Sequence, residues 1–137
     1  MIIPKFLIVY GDTSFRGPCA KEDLELMTFF NQLRKIYPDS YGLIAFHPKM
    51  EGKKSFAQAA SDKMKGATKG VCDIIIPGSP TLCIEVKRED HTQSVWQPGQ
   101  IDFLEAAHKN GAFVCLALGY KAALDALDDW IKMRDTK

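Results

Sequence analysis

The sequence predicts an α/β domain in which a mixed β-sheet is flanked by helices. Short apolar runs typical of strands alternate with longer segments whose apolar residues recur at helical spacing. A predicted helix between two of the strands implies at least one parallel strand pair, because a parallel connection needs a long crossover. A tight turn between two other apolar runs indicates an antiparallel hairpin. Parallel and antiparallel pairs in one sheet with flanking helices are typical of this fold class.

Length and composition favour one globular domain over residues 1–137. Apolar residues make up 46% of the chain, which is enough for a single hydrophobic core. The formal net charge is only +1, so a nucleic-acid partner would have to be met by a local basic patch. The four cysteines show no CxxC spacing, which predicts reduced thiols in a cytosolic protein. The apolar run 6–10 is too short for a membrane span, so no membrane partner is expected.

The first part of the chain is predicted to contain an extended arm, a helix and a strand. Residues 1–10 are predicted to form a strand or an extended arm, and the helix extends from about residue 19 to 36 with Pro18 at its start. Apolar side chains at helical spacing form its buried stripe, and two carboxylates continue that stripe towards the N-terminus. These residues are Leu26, Phe29, Phe30, Leu33 and Tyr37, with Glu22 and Glu25. Residues 41–46 are predicted to form a strand that leads into His47.

A lysine-rich segment follows, from residue 49 to residue 69, with a short predicted helix over residues 55–60. Its lysines are Lys49, Lys53, Lys54, Lys63, Lys65 and Lys69, against only Glu51 and Asp62. A basic surface of this kind, just ahead of an acidic strand, is suited to contacts with a phosphate backbone. The alternative is a solvated lysine face.

Two short apolar strands joined by a tight turn each carry an acidic residue, where a buried strand should have none. The strands are residues 70–77 and 82–87. A turn centred on Ser79 places Asp73 opposite Glu85, where like charges repel. Because side chains alternate between the faces of a strand, Glu85 and Lys87 project the same way. Such a group suits a hard divalent cation, which takes oxygen ligands; the alternative is a carboxylate pair with a lysine counter-ion on a solvated face.

The last part of the chain predicts a loop, a helix, a strand and a final helix. The polar loop 88–96 ends in Trp96, which either contacts a substrate or packs over the sheet. Residues 98–110 form the helix and residues 112–118 a buried strand. The final amphipathic helix extends through Trp130.

The order of these motifs resembles the VRR-NUC (virus-type replication-repair nuclease) family of the PD-(D/E)xK nuclease superfamily, over nearly all of residues 20–130. A helix carboxylate is followed by a Gly-x-x-Asp turn into an apolar strand, a Glu-x-Lys after a hairpin, and a glutamine that opens a helix. The residues are Glu25, Gly70, Asp73, Glu85, Lys87 and Gln100. One departure is Cys72, which stands where the family usually has proline. That position shapes the strand entry and contributes no ligand.

The resemblance implies a restriction-endonuclease-like core and a Mg²⁺- or Mn²⁺-dependent deoxyribonuclease. Asp73 and Glu85, with the Val86 carbonyl, would hold one or two ions, and Glu25 would add a further carboxylate. The metal would polarise the scissile phosphate and lower the pKa of a bound water.

Two further residues receive roles from the same comparison. Lys87 would position the attacking water or neutralise the charge that grows on phosphorus. Gln100 would point back at the metal site and orient a water or a phosphate. The helix position of Glu22 is better explained as a partner of the helix dipole.

The resemblance also implies a structure-selective endonuclease similar to Holliday-junction resolvases, acting in phage or in DNA repair and recombination, in the cytoplasm of a bacterial or phage-infected cell. Symmetric cutting of a four-way junction requires two active sites and therefore a homodimer. The N-terminal strand and the Trp130 helix are candidate dimer surfaces, or plain core. The residues expected to contact branched or flapped DNA are His47, Lys49, Lys53, Lys54, Lys65, Lys69 and Trp96.

Two other function classes fit the same residues. A non-catalytic nucleic-acid-binding module on a nuclease fold would keep the lysine surface and have no use for a metal. A small structural or interaction protein would have an incidental acidic group, and its lysines would give no salt-dependent affinity for DNA.

Overall fold

The computed structural model describes residues 1–48 and 55–135. In this part of the chain the strands are β1 (Ile8–Tyr10), β2 (Ile74–Ile76), β3 (Leu82–Lys87) and β4 (Phe113–Leu118). The helices are α1 (Glu22–Ile36), α2 (Tyr41–Ile44), α3 (Phe56–Met64), α4 (Gln100–Lys109) and α5 (Tyr120–Asp135), with a 3₁₀ turn over His91–Gln93. None of the helices in these ranges is long and apolar enough to cross a membrane.

The four strands form one mixed sheet in the order β1-β4-β3-β2. Strand β4 pairs in parallel with both β1 and β3, and α4 supplies the crossover from β3 to β4. Strands β2 and β3 form the predicted antiparallel hairpin, in the register centred on Ser79, with Ile75 opposite Cys83. The α/β prediction, with its mixed sheet flanked by helices, is confirmed.

Apolar side chains pack on both faces of the sheet. Helices α1 and α5 cover one face, where Phe29 and Trp130 are fully buried against Ile84 and Val86. Helix α4 covers the other face through Leu104. Because both faces are covered, every residue of β3 is buried, including the charged ones. Ionisable side chains on this strand are therefore removed from water, which is costly unless they are paired or bind a cation.

All four cysteine thiols are free in the structure. Cys72, Cys83 and Cys115 are buried and Cys19 is partly exposed.

Helix α1 begins at Glu22, later than the predicted residue 19, and Pro18 does not occupy its first position. The reason is a contact with a distant segment. The Arg88 guanidinium donates hydrogen bonds to the carbonyl oxygens of Cys19 and Ala20, at 2.8 and 3.1 Å. Carbonyl groups held in this way are not available to start a helix.

The predicted strand over residues 41–46 is wrong. Tyr41–Ile44 forms one turn of helix, and Phe46 alone pairs with Ile75 in an isolated bridge. The helical turn brings the Tyr41 ring against the Trp130 indole, with 5.5 Å between the ring centroids. Packing between aromatic rings therefore overrides the strand preference of an aromatic and apolar run.

The Trp130 side chain belongs to the core. It is fully buried, and its Nε1 donates a hydrogen bond to the Pro80 carbonyl oxygen at 2.8 Å. Strand β1 pairs with β4 and lies at one edge of the sheet.

Candidate active site

Asp73 and Glu85 meet at the open end of the β2–β3 hairpin. Asp73 directly precedes β2, and its Oδ2 accepts a hydrogen bond from the Val86 backbone N–H at 2.9 Å. Glu85 is 1% exposed, and its Oε2 has no hydrogen-bond partner within the described residues. Burial, and next the Asp73 charge, raise the pKa of Glu85 to about 10. A cation at this point would offset both effects, because it favours the ionised carboxylate and satisfies the free oxygen.

Lys87 lies two residues further along β3 and is also 1% exposed. Its Nζ donates hydrogen bonds to the Val95 carbonyl oxygen at 2.8 Å and to Gln100 Oε1 at 3.0 Å. The same nitrogen lies 5.3 Å from the centre of the Trp96 ring. The ammonium group is therefore held in one place by the loop after β3 and by the first turn of α4.

Gln100 links the lysine to the carboxylates, at the first residue of α4. Its Oε1 accepts hydrogen bonds from Lys87 Nζ and from the Gln97 backbone N–H, the latter at 2.8 Å. Its Nε2 donates to Glu85 Oε1 at 3.2 Å. The structure thus places Asp73, Glu85, Lys87 and Gln100 in one connected group.

Two glycines set the distance between this helix and the hairpin. A Cβ on Gly70 would lie 2.2 Å from the carbonyl carbon of Gly99, so the two backbones are in direct contact. Both residues have positive φ, at 78° and 90°, where glycine alone is unstrained. Gly70 belongs to the Gly-x-x-Asp motif, but its contact with Gly99 is not visible in the sequence. It positions the loop that carries Asp73 against the helix that carries Gln100.

Glu22 is the carboxylate that α1 contributes to this group. Its Oε1 lies 3.7 Å from Lys87 Nζ, and its Oε2 accepts a hydrogen bond from Ser94 Oγ at 3.0 Å. Its charge also contributes to the raised pKa of Glu85. Sequence reasoning assigned Glu22 to the helix dipole and did not select Ser94. Glu22 lies at the start of the apolar stripe of α1, and this position in the sequence could have predicted that its carboxylate faces the other residues of the group.

Glu25 lies elsewhere, at the start of α5. It accepts a hydrogen bond from the Tyr120 backbone N–H. Its Oε2 packs against Gly119, so that a Cβ added to this glycine would be only 2.5 Å from that oxygen. The side chain is 4% exposed, and burial, with the neighbouring Glu89 charge, raises its pKa. Within residues 1–48 and 55–135, no hydrogen bond or ion pair joins Glu25 to the hairpin carboxylates. One helical turn separates it from Glu22, and this is enough to give it different neighbours.

The donor set at the hairpin fits a hard divalent cation with few protein ligands. In the part of the chain that the structure describes, no three of His, Cys, Asp and Glu side chains lie together as a closed metal cage. Two carboxylates and a backbone carbonyl are what Mg²⁺ commonly takes from a protein, with waters and substrate phosphates completing its octahedron. The free, buried Oε2 of Glu85 beside Asp73 agrees with such a site. Asp73, Glu85 and the Val86 carbonyl would hold Mg²⁺ or Mn²⁺ here.

The residues expected to contact nucleic acid are found in different places. His47 donates from Nδ1 to the Asp73 carbonyl oxygen at 2.7 Å, so it adjoins the candidate site. Lys65 and Lys69 are exposed, and Lys69 lies against Gly99. The expected contacts Lys49, Lys53 and Lys54 lie outside the described residues.

Trp96 packs over the sheet, as in the second of its two interpretations. Its Nε1 donates a hydrogen bond to the Ile2 carbonyl oxygen at 2.7 Å. Its side chain also packs against the apolar cluster under α4. The indole therefore holds the N-terminal arm against the loop that anchors Lys87.

Comparison with known proteins adds one clear finding. No protein-family model matches the sequence, and no curated protein does. A solved structure described as a VRR_NUC domain protein matches with a TM-score of 0.67. The match covers 86% of this chain and 92% of that chain at 22% sequence identity, which establishes a shared fold. The chain therefore has the restriction-endonuclease-like fold of a VRR_NUC domain protein, as its ordered sequence motifs predicted.

Proposed function

We propose that this protein is a metal-dependent endonuclease that hydrolyses DNA phosphodiester bonds at the Asp73–Glu85 pair. The observation that carries the proposal is Glu85, a fully buried carboxylate with an unpartnered oxygen, placed beside a second carboxylate and a buried lysine. A buried carboxylate of this kind destabilises an apolar core unless a cation binds to it. The shared fold with a VRR_NUC domain protein supports a nuclease.

Each residue of the group has a role in this reaction. When bound, the metal would polarise the scissile phosphate and lower the pKa of a water. Asp73 and Glu85 would hold the ion, and the Val86 N–H fixes the orientation of the Asp73 carboxylate. Lys87, held by the Val95 carbonyl, would orient the water or neutralise the charge developing on phosphorus. Gln100 keeps both Lys87 and Glu85 in place.

Glu22, rather than Glu25, is the α1 carboxylate that we assign to this site. At 3.7 Å from Lys87 Nζ it supports the charge and the position of the ammonium group. It would act on the metal through water, since its nearest contacts are Lys87 and Ser94.

Substrate recognition would rely on the DNA backbone. His47 and Lys69 adjoin the site, and Lys49, Lys53, Lys54 and Lys65 belong to the same basic segment as Lys69. Contacts with phosphates read shape and orientation and carry no direct sequence information. We therefore propose a structure-selective enzyme for branched or flapped DNA, similar to Holliday-junction resolvases. Paired cuts in a four-way junction would require a two-fold homodimer.

The test is cleavage of labelled four-way junction, flap, single-stranded and duplex DNA with Mg²⁺, Mn²⁺ or EDTA. We expect metal-dependent cutting that falls by about 10²- to 10³-fold in Lys87→Ala, the range for loss of a group that stabilises transition-state charge. Asp73→Ala should abolish cutting, and both variants should keep the circular dichroism spectrum of the wild type. Lys109→Ala, which removes an exposed lysine on α4, is the matched control.

Two outcomes would contradict the proposal. Undiminished cutting by both variants would exclude this site. Absence of cutting by the wild type, with DNA binding intact in EDTA, would favour the non-catalytic binding module.

A further inference from the structure

A groove of about 740 Å³ lies between α1 and the segment that ends at His47. We propose that it binds an unpaired DNA strand as that strand leaves the active site. The role of the groove in cleavage rests on the proposed nuclease function, whereas its affinity for DNA does not. Its volume is that of a small-ligand site and is too small to enclose a duplex.

The floor of the groove is apolar and accessible. Leu26, Phe30 and Phe46 contribute to it, and Phe46 is 46% exposed. Met27, at its side, is 67% exposed. Exposed apolar side chains that are grouped together commonly mark a binding surface. An accessible aromatic ring offers a face on which a nucleobase stacks, whatever its sequence.

The rim of the groove is cationic. Arg34 and Lys35, in the last turn of α1, line it together with His47. Among the described lining residues none is acidic, and neither Arg34 nor Lys35 forms an ion pair with another described residue. The Arg34 guanidinium lies 5.2 Å from the centre of the Phe30 ring, so positive charge and apolar floor are adjacent. A single strand has the matching chemistry, with phosphates along one side and exposed bases along the other.

His47 joins the groove to the metal site. The same side chain that lines the groove donates a hydrogen bond to the Asp73 carbonyl oxygen at 2.7 Å. A strand whose phosphate is bound by a cation at the Asp73–Glu85 pair could therefore continue along this surface. An apolar peptide would use the floor but would leave the two α1 cations without partners.

The first measurement is binding without cleavage, by fluorescence anisotropy of a labelled single-stranded oligonucleotide in EDTA over a series of salt concentrations. For Arg34→Ala/Lys35→Ala we expect the slope of log affinity against log salt to become shallower by about 1.4, because two phosphate contacts are lost. Phe46→Leu, which keeps an apolar side chain but removes the aromatic face, should weaken binding about tenfold. Phe46→Trp should restore it.

Matched controls separate the groove from general electrostatics. Lys121→Ala/Lys132→Ala removes two exposed charges on α5 and should leave single-strand binding unchanged. Duplex binding should change little in the groove variants. Equal weakening for duplex and single strand, or unchanged binding in the groove variants, would overturn the proposal. Stronger binding of an RNA of the same sequence would overturn the assignment to DNA.

A cleavage assay then distinguishes the two proposals. If the wild type cuts DNA and the groove variants lose activity on flaps more than on duplex, both proposals are supported. If no DNA is cut but the variants still lose single-strand binding, the groove stands and the nuclease assignment fails. If the groove variants bind and cut like the wild type but no longer sediment as a dimer, the surface is an interface between copies and the proposal is wrong.

Discussion

Glu22 and Glu25 lie one turn apart on α1, and the fold gives them different neighbours. Glu22 reaches Lys87 and Ser94, whereas Glu25 accepts a hydrogen bond from the first turn of α5. Exchange of either carboxylate for an amide removes the charge and keeps the shape. The pair therefore allows a matched test of which carboxylate serves the reaction.

We expect Glu22→Gln to lower the rate of DNA cleavage about 10- to 100-fold, the usual effect of changing a group that orients the residues around a metal. Glu25→Gln should leave the rate unchanged, because its contacts are at α5. Single-turnover cleavage with saturating Mg²⁺ measures both variants. If Glu25→Gln lowered the cleavage rate more than Glu22→Gln, the α1 carboxylate that serves the reaction would be Glu25.

Glu25 should instead make stability depend on pH. Burial, followed by the Glu89 charge, raises its pKa above the ordinary value of 4.5 in the folded state. The folded protein therefore binds this proton more tightly than the unfolded chain does. The resulting stabilisation is complete below the unfolded pKa and is lost as the pH rises through the folded pKa.

Urea unfolding of wild type and Glu25→Gln between pH 4 and pH 8 measures this effect. The free energy of unfolding of the variant should rise relative to that of the wild type as the pH increases through this range. Glu105→Gln, at an exposed position on α4, should show no such trend. Parallel curves for wild type and Glu25→Gln would exclude a raised pKa at this residue.

The contact between Gly70 and Gly99 is where the hairpin loop meets α4. In the chain, Asp73 closely follows Gly70 and Gln100 follows Gly99. Displacement of the two glycines would therefore move the Asp73 carboxylate and the Gln100 amide. A methyl group on Gly70 would lie 2.2 Å from a backbone carbon of Gly99, and backbone atoms at that distance have to separate.

Gly70→Ala should reduce cleavage by about 100-fold, since displacement of reacting groups by about 1 Å has effects of this size. Gly66→Ala is the matched control. Gly66 also has a positive φ, of 100°, but a Cβ there would contact nothing within 4 Å. Both variants carry the same kind of backbone strain, roughly 1–2 kcal/mol in the left-handed region. Equal activity of the two variants in a cleavage assay, at equal stability in urea, would show that the contact does not position the site.

Across the molecule, α5 holds the turn of the hairpin while α4 and α1 hold its open end. Trp130 of α5 donates a hydrogen bond to the Pro80 carbonyl oxygen. Its ring packs against Gly78, so that a Cβ added to this glycine would be only 2.7 Å from the ring. The candidate active site is thus built on a strand pair that is anchored at both ends. Stability of the core and geometry of the site are connected through this hairpin.

Trp130→Ala should lower the free energy of unfolding by about 3–5 kcal/mol, the range for truncation of a buried aromatic residue. Trp130→Phe should cost less, because most of the volume stays and only the hydrogen bond to Pro80 is lost. Chemical denaturation measures both, and Lys132→Ala at an exposed site on the same helix is the control. A change below about 1 kcal/mol in Trp130→Ala would mean that this contact does not anchor the hairpin.

The sequence predicted those features that depend on neighbouring residues. Periodicity located α1, α4, α5 and the apolar strands, and the turn around Ser79 set the register of β2 and β3. The same register brought Asp73 and Glu85 together, because a hairpin pairs residues that are close in the chain. Local rules therefore located the two carboxylates of the proposed metal site.

Tertiary packing decided the rest. The apolar run at residues 41–46 forms a helical turn because Tyr41 packs on Trp130, and α1 begins late because Arg88 binds the carbonyl groups before it. The choice between Glu22 and Glu25 and the contact between Gly70 and Gly99 also depend on which distant segments meet. Propensity and periodicity describe a residue and its neighbours in the chain. The contacts that complete this site join residues dozens of positions apart, and only the folded backbone brings them together.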